Sequence, residues 1–307
     1  MTIAFLFPGQ GSQSVGMMSD LAAAHSIVKD LYLEASEVLE IDLWALTQEG
    51  PIEQLSQTEH TQPALLVAGV AAWRVWQTLG GTKPAIMAGH SLGEYTALCC
   101  SGAIEFSQAV ALVRDRGRYM QEAVPAGEGG MAAILGLDDE IVSQVCAEIS
   151  ATHLVQAVNF NAPGQVVIAG SSAGIESAVI ALKEKGARRA LPLPVSIPAH
   201  SSLMSSASDR LAQRLDSIDI TLPEIPVVHN CNVEIAQSAD LLKANLVQQL
   251  DSPVRWVECI QLIESQGVSR YIESGPGKVL SGMVKRIVSA PELACIEKPD
   301  AYQSLIL

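Results

Sequence analysis

The chain is short of positive charge: its 307 residues include 19 Lys and Arg against 33 Asp and Glu, a formal net charge of −14. Neutralising phosphates takes a basic face, so this balance argues against a nucleic-acid partner and against docking on anionic membranes. An acidic protein partner would need a local basic patch. Cysteine is sparse as well. The six, at 99, 100, 146, 231, 259 and 295, form no C-x-x-C and no His/Cys pair at metal-ligand spacing, so neither a metal site nor a disulfide framework is expected. Adjacent Cys99 and Cys100 read as small core residues, and a reduced cytoplasm fits. No apolar run approaches the roughly 20 residues of a membrane span, the longest being Pro63 to Trp73. The N-terminus, MTIAFLFP, lacks the basic start of a signal peptide. A cytoplasmic location with no membrane contact is expected.

What is abundant is apolar residue, 49% against 17% charged, enough for a sizeable core. The chain turns on one stretch, Ala85 to Tyr95, AIMAGHSLGEY. A short apolar run meets a G-x-S-x-G pentapeptide and is followed by a helical segment, Thr96 to Cys100. Strand, serine-bearing turn and helix together describe a nucleophile elbow. Gly89 and Gly93 flank Ser91 because a sharp turn leaves no room for side chains. Ser91 would stand at a helix N-terminus, where backbone N–H groups favour an oxyanion.

In order, Ile3–Phe7 reads as a buried parallel strand, ending in a Gly-rich turn around Gln10. That turn has neither the P-loop Lys nor dinucleotide spacing, and either an ordinary strand–helix turn or a presented Gln10 explains it. Residues 15–80 are mainly helical, with Pro63 in the first turn of a helix opening at Thr61. Residues 109–118 are helical, and Arg114, Arg116 and Arg118 cannot share one face at i, i+2 spacing. Arg116 is the candidate to point inward. A composition shift at 125–130 opens a β-α-β-β-α-β pattern: strands from Met131, Val155, Gln165 and Arg189, helices from Glu140 and Ala173. This is the ferredoxin-like order. It predicts a small subdomain over 127–196, inserted in a catalytic unit of 1–126 and 197–307. The loop Phe160-Asn161-Ala162-Pro163-Gly164 is its hairpin connection. The large unit resumes after Ser196 and ends with strands near Val227 and Arg270. Helices are expected over Ala239–Gln249, Val254–Gln266 and Val279–Val288, and the last twenty residues carry no signal.

Six histidines compete for the general base. His25 and His60 lie in polar stretches, His153 in the small subdomain, His229 in an apolar run, and His90 on the elbow itself. Elimination favours His200 without deciding it.

Taken together, seven ordered motifs resemble the malonyl-CoA:acyl carrier protein transacylases of bacterial fatty acid synthesis, along nearly the whole chain. They are FPGQGSQ at 7–13, TQPAL at 61–65, GHSLGEY at 89–95, Arg116-Gly117, Asn159-Phe160-Asn161, Pro198-Ala199-His200 and GPGK at 275–278. The resemblance implies an α/β-hydrolase-like large domain with a parallel sheet, an inserted ferredoxin-like domain, and a site in the cleft between them. It implies Ser91 as nucleophile and His200 as base, with the backbone N–H groups of Gln10 and Leu92 as oxyanion hole. Arg116 would pair with the malonyl carboxylate. The Gln249 backbone carbonyl would orient His200, which accounts for the lack of a convincing triad Asp. His90 and Asn161 would line the site. Malonyl-CoA and acyl carrier protein would be the substrates, with no cofactor, no metal and a monomeric state.

Three rivals stand beside this. A serine esterase would need an acid between Ser91 and His200 in sequence, and Asp138 and Asp139 fall in the small subdomain. A stand-alone acyltransferase of a polyketide or malonate decarboxylase system would share the chemistry. A non-catalytic carrier-protein binder would not need the full set of roles.

Overall fold

Ile3–Phe7 forms β1, and all five residues are buried, as an uninterrupted apolar run between helical layers requires. In the computed structural model, which describes residues 2–195 and 197–306, β1 is the centre of a five-stranded sheet. Its partners are β2 (Ile86–Gly89), β7 (Val227–Val228), β8 (Arg270–Glu273) and β9 (Glu292–Cys295). The order is β7-β2-β1-β8-β9, every pairing parallel. A second sheet holds β3 (Gly129–Leu135), β4 (Val155–Ala162), β5 (Gln165–Ser171) and β6 (Arg189–Pro192). It is antiparallel in the order β4-β5-β3-β6, the ferredoxin-like arrangement. Ser196, the expected end of the small subdomain, lies outside the described residues.

Parallel pairing decides where chemistry can sit. Phe7 lies opposite Gly89 and Leu6 opposite Glu273, so three strand-to-helix turns emerge side by side at the C-terminal edge of the sheet. They are the Gly9-Gln10 loop, the Ser91 elbow and the 275–277 turn. Behind them the Thr58–Thr78 helix is apolar on nearly every face, with sixteen buried residues. Phe5 packs edge-on against its Trp73 and Trp76 at centroid distances of 5.0 and 5.3 Å. Among the described residues no helix is long and apolar enough to cross a membrane.

Five expectations need correction. Helix 58–78 begins three residues before Thr61, so Pro63 sits in its second turn, where its missing N–H is accommodated in a buried segment. β4 continues through Ala162, so the hairpin turn is Pro163-Gly164 alone and Asn161 is a buried strand residue. Irregular register at Ala157/Asn159 and Phe160/Ala162 hides the period-two pattern that would have extended the strand. Val254 is not helical. It bridges to Asn159, with Phe160 N–H donating to its carbonyl at 3.0 Å and its own N–H donating to Val158 at 2.8 Å. The helix starts at Trp256. Finally, the C-terminus carries β9 and a helix over Pro299–Ile306, pinned by the buried Tyr302 hydroxyl, which donates to the carbonyls of Ala72 and Ile296. Cys99 and Cys100 are half-buried rather than core, lining a cavity of about 410 Å³ with Arg74 and Lys83.

Candidate active site

Ser91 caps the Leu92–Cys100 helix with φ 53° and ψ −108°, a conformation L-residues avoid. Close packing compels it. A Cβ on Gly89 would fall 1.8 Å from the Gly93 carbonyl carbon, and one on Gly93 would fall 2.0 Å from the Phe7 carbonyl oxygen. Asn230 braces the turn: its Oδ1 accepts the Ser91 N–H at 2.7 Å and its Nδ2 donates to Gly89 at 2.8 Å. The Leu92 N–H stands at the first helical position, where backbone donors have no partner within the helix. Gly9 lets the Gln10 loop press onto the elbow, since a Cβ there would lie 2.4 Å from the His90 carbonyl oxygen.

His200 is buried, and it too has positive φ, 65°. Its backbone N–H donates to Leu250 at 3.0 Å, while Nδ1 lies 2.7 Å from the Gln249 carbonyl. A carbonyl only accepts, so Nδ1 carries the hydrogen and Nε2 presents its lone pair. Ser91 Oγ is 2.8 Å from that Nε2 and donates to it. Burial and the neighbouring Arg116 cation bring the imidazole down to about 3, with the carbonyl bond opposing them. His200 is a neutral acceptor over the whole physiological range.

Arg116 is the inward-facing arginine; Arg118 instead pairs with Glu59 on the surface. Its guanidinium lies 5.1 Å from the Tyr95 ring centroid. Nη2 donates to Ser91 Oγ at 3.2 Å and to Gln249 Oε1 at 3.0 Å, Nη1 donates to Gln62 Oε1 at 2.8 Å, and the buried Nε has no hydrogen-bond partner among the described residues. Burial lowers its affinity for a proton, offset by Tyr95 and Glu94. His90 Nε2 donates to Asn161 Oδ1 at 2.7 Å, which ties the elbow to β4, and burial holds this imidazole below its ordinary value.

Ser91, Leu92, His200, Arg116, His90 and Gln10 share one cavity of about 120 Å³ whose apolar walls include Met120, Met131, Leu193 and Ile197. Gln249 and Asn161 lie behind it, each hydrogen-bonded to a residue that lines it. All eight residues singled out in the sequence therefore meet at one place. The sequence reading gave no role to Gln62, Glu94, His229 or Asn230. Glu94 alone left a signal, a carboxylate in the first turn of an otherwise apolar helix.

A serine hydroxyl bonded to a neutral imidazole, beside a buried guanidinium, is an arrangement able to transfer acyl groups that carry an anionic end. Residues 4–293 match the acyl transferase domain family. The chain belongs to that family, among the malonyl CoA-acyl carrier protein transacylases. It is 53% identical to the Escherichia coli K12 transacylase of that name, over 99% of this chain and 98% of the relative. An acyl carrier protein S-malonyltransferase crystal structure from Vibrio cholerae is similar at TM-score 0.97 and 52% identity, covering 99% of each chain. Another neighbour, a malonyl-transacylase in complex with a type II polyketide synthase acyl-carrier protein, is similar at TM-score 0.98 and 51% identity. It covers 100% of this chain and 99% of that one.

Proposed function

We propose that this protein moves a malonyl group from malonyl-CoA to the phosphopantetheine thiol of acyl carrier protein, as in fatty acid synthesis, through a malonyl ester on Ser91. The observation that carries this reading is the buried Arg116 guanidinium, 3.2 Å from Ser91 Oγ. A cation that close to the nucleophile selects an acyl group with its own negative end. A planar fork binds a carboxylate with two parallel bonds.

The steps follow from the geometry. The malonyl carboxylate draws Arg116 away from Ser91 Oγ, and Nε supplies a donor that no other described residue takes. His200 Nε2 takes the Ser91 proton as Oγ attacks the thioester carbonyl. The oxyanion meets the Leu92 and Gln10 N–H groups, and loss of either is expected to cost about a hundredfold or more. CoA thiolate leaves with the proton from His200. The carrier thiol then gives its proton to His200, attacks the Ser91 ester and regenerates the serine. The route uses no cofactor. We place the cleft between a unit of 1–126 with 197–307 and a unit of 127–196, and the cytoplasm suits both substrates. An esterase reading lacks its acid, since His200 Nδ1 faces a carbonyl and Asp138 stands at the N-cap position of the Asp139–Ser150 helix in the small subdomain.

The test is intact mass after brief mixing with malonyl-CoA, for the parent and Ser91→Ala. A malonyl increment on the parent alone is expected. Free CoA and malonate with no increment would replace this reading with a hydrolase.

A further inference from the structure

Glu94 lies three residues beyond Ser91, its side chain 0% exposed. A buried carboxylate persists only where its oxygens are bonded. Here Oε1 accepts from His229 Nδ1 at 2.7 Å, and Oε2 accepts from the Asn230 backbone N–H at 2.9 Å and from Gln249 Nε2 at 2.8 Å. The Gln249 amide stands between this carboxylate and the Arg116 guanidinium. Its Nε2 also donates to the Ser91 carbonyl at 3.1 Å, and its Oε1 accepts from Arg116 Nη2 at 3.0 Å.

A carboxylate only accepts and a guanidinium only donates. One orientation of the amide satisfies both neighbours. The reverse points NH₂ at the guanidinium and oxygen at both the carboxylate and the Ser91 carbonyl, leaving three buried mismatches. Glu94 therefore joins the Ser91 carbonyl in fixing which way the amide faces, and the amide oxygen fixes where Nη2 rests. We propose that Glu94 is a positioning residue for acyl selection: through the Gln249 amide it holds Arg116 beside Ser91 Oγ and so sets the preference for an anionic acyl group. This rests on the reading of Arg116 given above.

Glu94 has a second, structural arm, because Asn230 also braces the elbow. Loss of that arm slows every acyl group alike, so the discriminating readout is a ratio. Single-turnover acylation of Ser91 by malonyl-CoA and by acetyl-CoA is measured for the parent, Glu94→Gln, Gln249→Ala and the double variant, with Arg116→Ala alongside. Gln249→Ala keeps the backbone carbonyl that faces His200.

Each single variant is expected to lower the malonyl-to-acetyl ratio about tenfold, and the double variant no further than the worse single. A parent-like ratio with both substrates slowed overturns the inference, as do additive losses in the double variant. If Glu94→Gln fails to fold, a parent-like ratio in Gln249→Ala overturns it equally. Arg116→Ala separates the two levels of argument. If it retains the malonyl preference, the reading of Arg116 fails; if it loses the preference while the other variants keep it, only the role of Glu94 fails.

Discussion

Lowering the pH tests the proposed dyad at its weakest point, the protonation of His200. An ordinary histidine near 6.5 would be neutral in only about one molecule in thirty at pH 5. At about 3 the buried imidazole stays almost fully neutral there, so kcat/KM for acylation by malonyl-CoA is expected to be flat from pH 8 to below pH 5. Stability moves the other way. The folded value lies below the unfolded one, so between 6.5 and about 3 the unfolded chain binds the extra proton. Stability present above pH 6.5 is thus lost as pH falls, by about 1.4 kcal/mol per unit for His200. His90, also depressed by burial, adds in the same direction. The assay must therefore be a rapid pH jump with quench and intact-mass readout, with circular dichroism to follow unfolding separately. Arg116→Ala removes a cation that depresses His200 and is expected to move the acid limb toward neutrality. A half-loss of kcat/KM near pH 6.5 in the folded parent would refute the reasoning.

Two further outcomes are expected. Gly93→Ala drives a methyl to 2.0 Å from the Phe7 carbonyl oxygen, and overpacking against backbone costs about 3 kcal/mol or more. Thermal denaturation should show a midpoint lower by roughly 6–12 °C, with acylation lost, and a parent-like midpoint would mean that the elbow is not tightly packed. Charge reversal of the exposed Lys183, Lys185, Arg188 and Arg189 should raise KM for carrier protein about tenfold, roughly 1.4 kcal/mol, and leave KM for malonyl-CoA alone. The alternative cluster, Lys285 and Arg286, is less free, because Arg286 donates to Pro163 and Gln165 at the β4–β5 hairpin. A larger effect at Lys285 and Arg286 would reverse this assignment.

Much of this site could be read from the sequence because its constraints are steric and local. The flanking glycines of Ser91 have no alternative, since both approach backbone atoms below 2.1 Å. Arg116 had to differ in environment from Arg114 or Arg118 on helical geometry alone. β1 was visible as a short apolar run ahead of a Gly-rich turn, and β8 through the Gly-Pro-Gly turn that follows it. What escaped was non-local. β9 is half-exposed and four residues long, and its identity comes from pairing with β8 rather than from any periodicity. Asn161 looked like part of a turn because its strand is bulged. Asn230 and Gln62 acquire meaning only through partners 139 and 54 positions away.

The choice of a carbonyl rather than an aspartate behind His200 follows from the charge of the proposed substrate. Glu94 and Arg116 already place one charge of each sign in the buried network, joined through Gln249. An aspartate in place of the Gln249 carbonyl would add a second anion to the network that the malonyl carboxylate enters. Two like charges about 8 Å apart repel by about 2 kcal/mol at an effective dielectric of about 20, enough to weaken binding some thirtyfold. An aspartate would also raise the imidazole toward a protonated resting state, adding a cation whose proton blocks Nε2 from Ser91. The neutral carbonyl fixes the tautomer, as an aspartate would, and leaves Arg116 as the cation that the substrate carboxylate meets. A site for uncharged acyl groups faces no such repulsion, so the orienting carbonyl and the buried arginine are parts of one solution to binding an anion beside a neutral base.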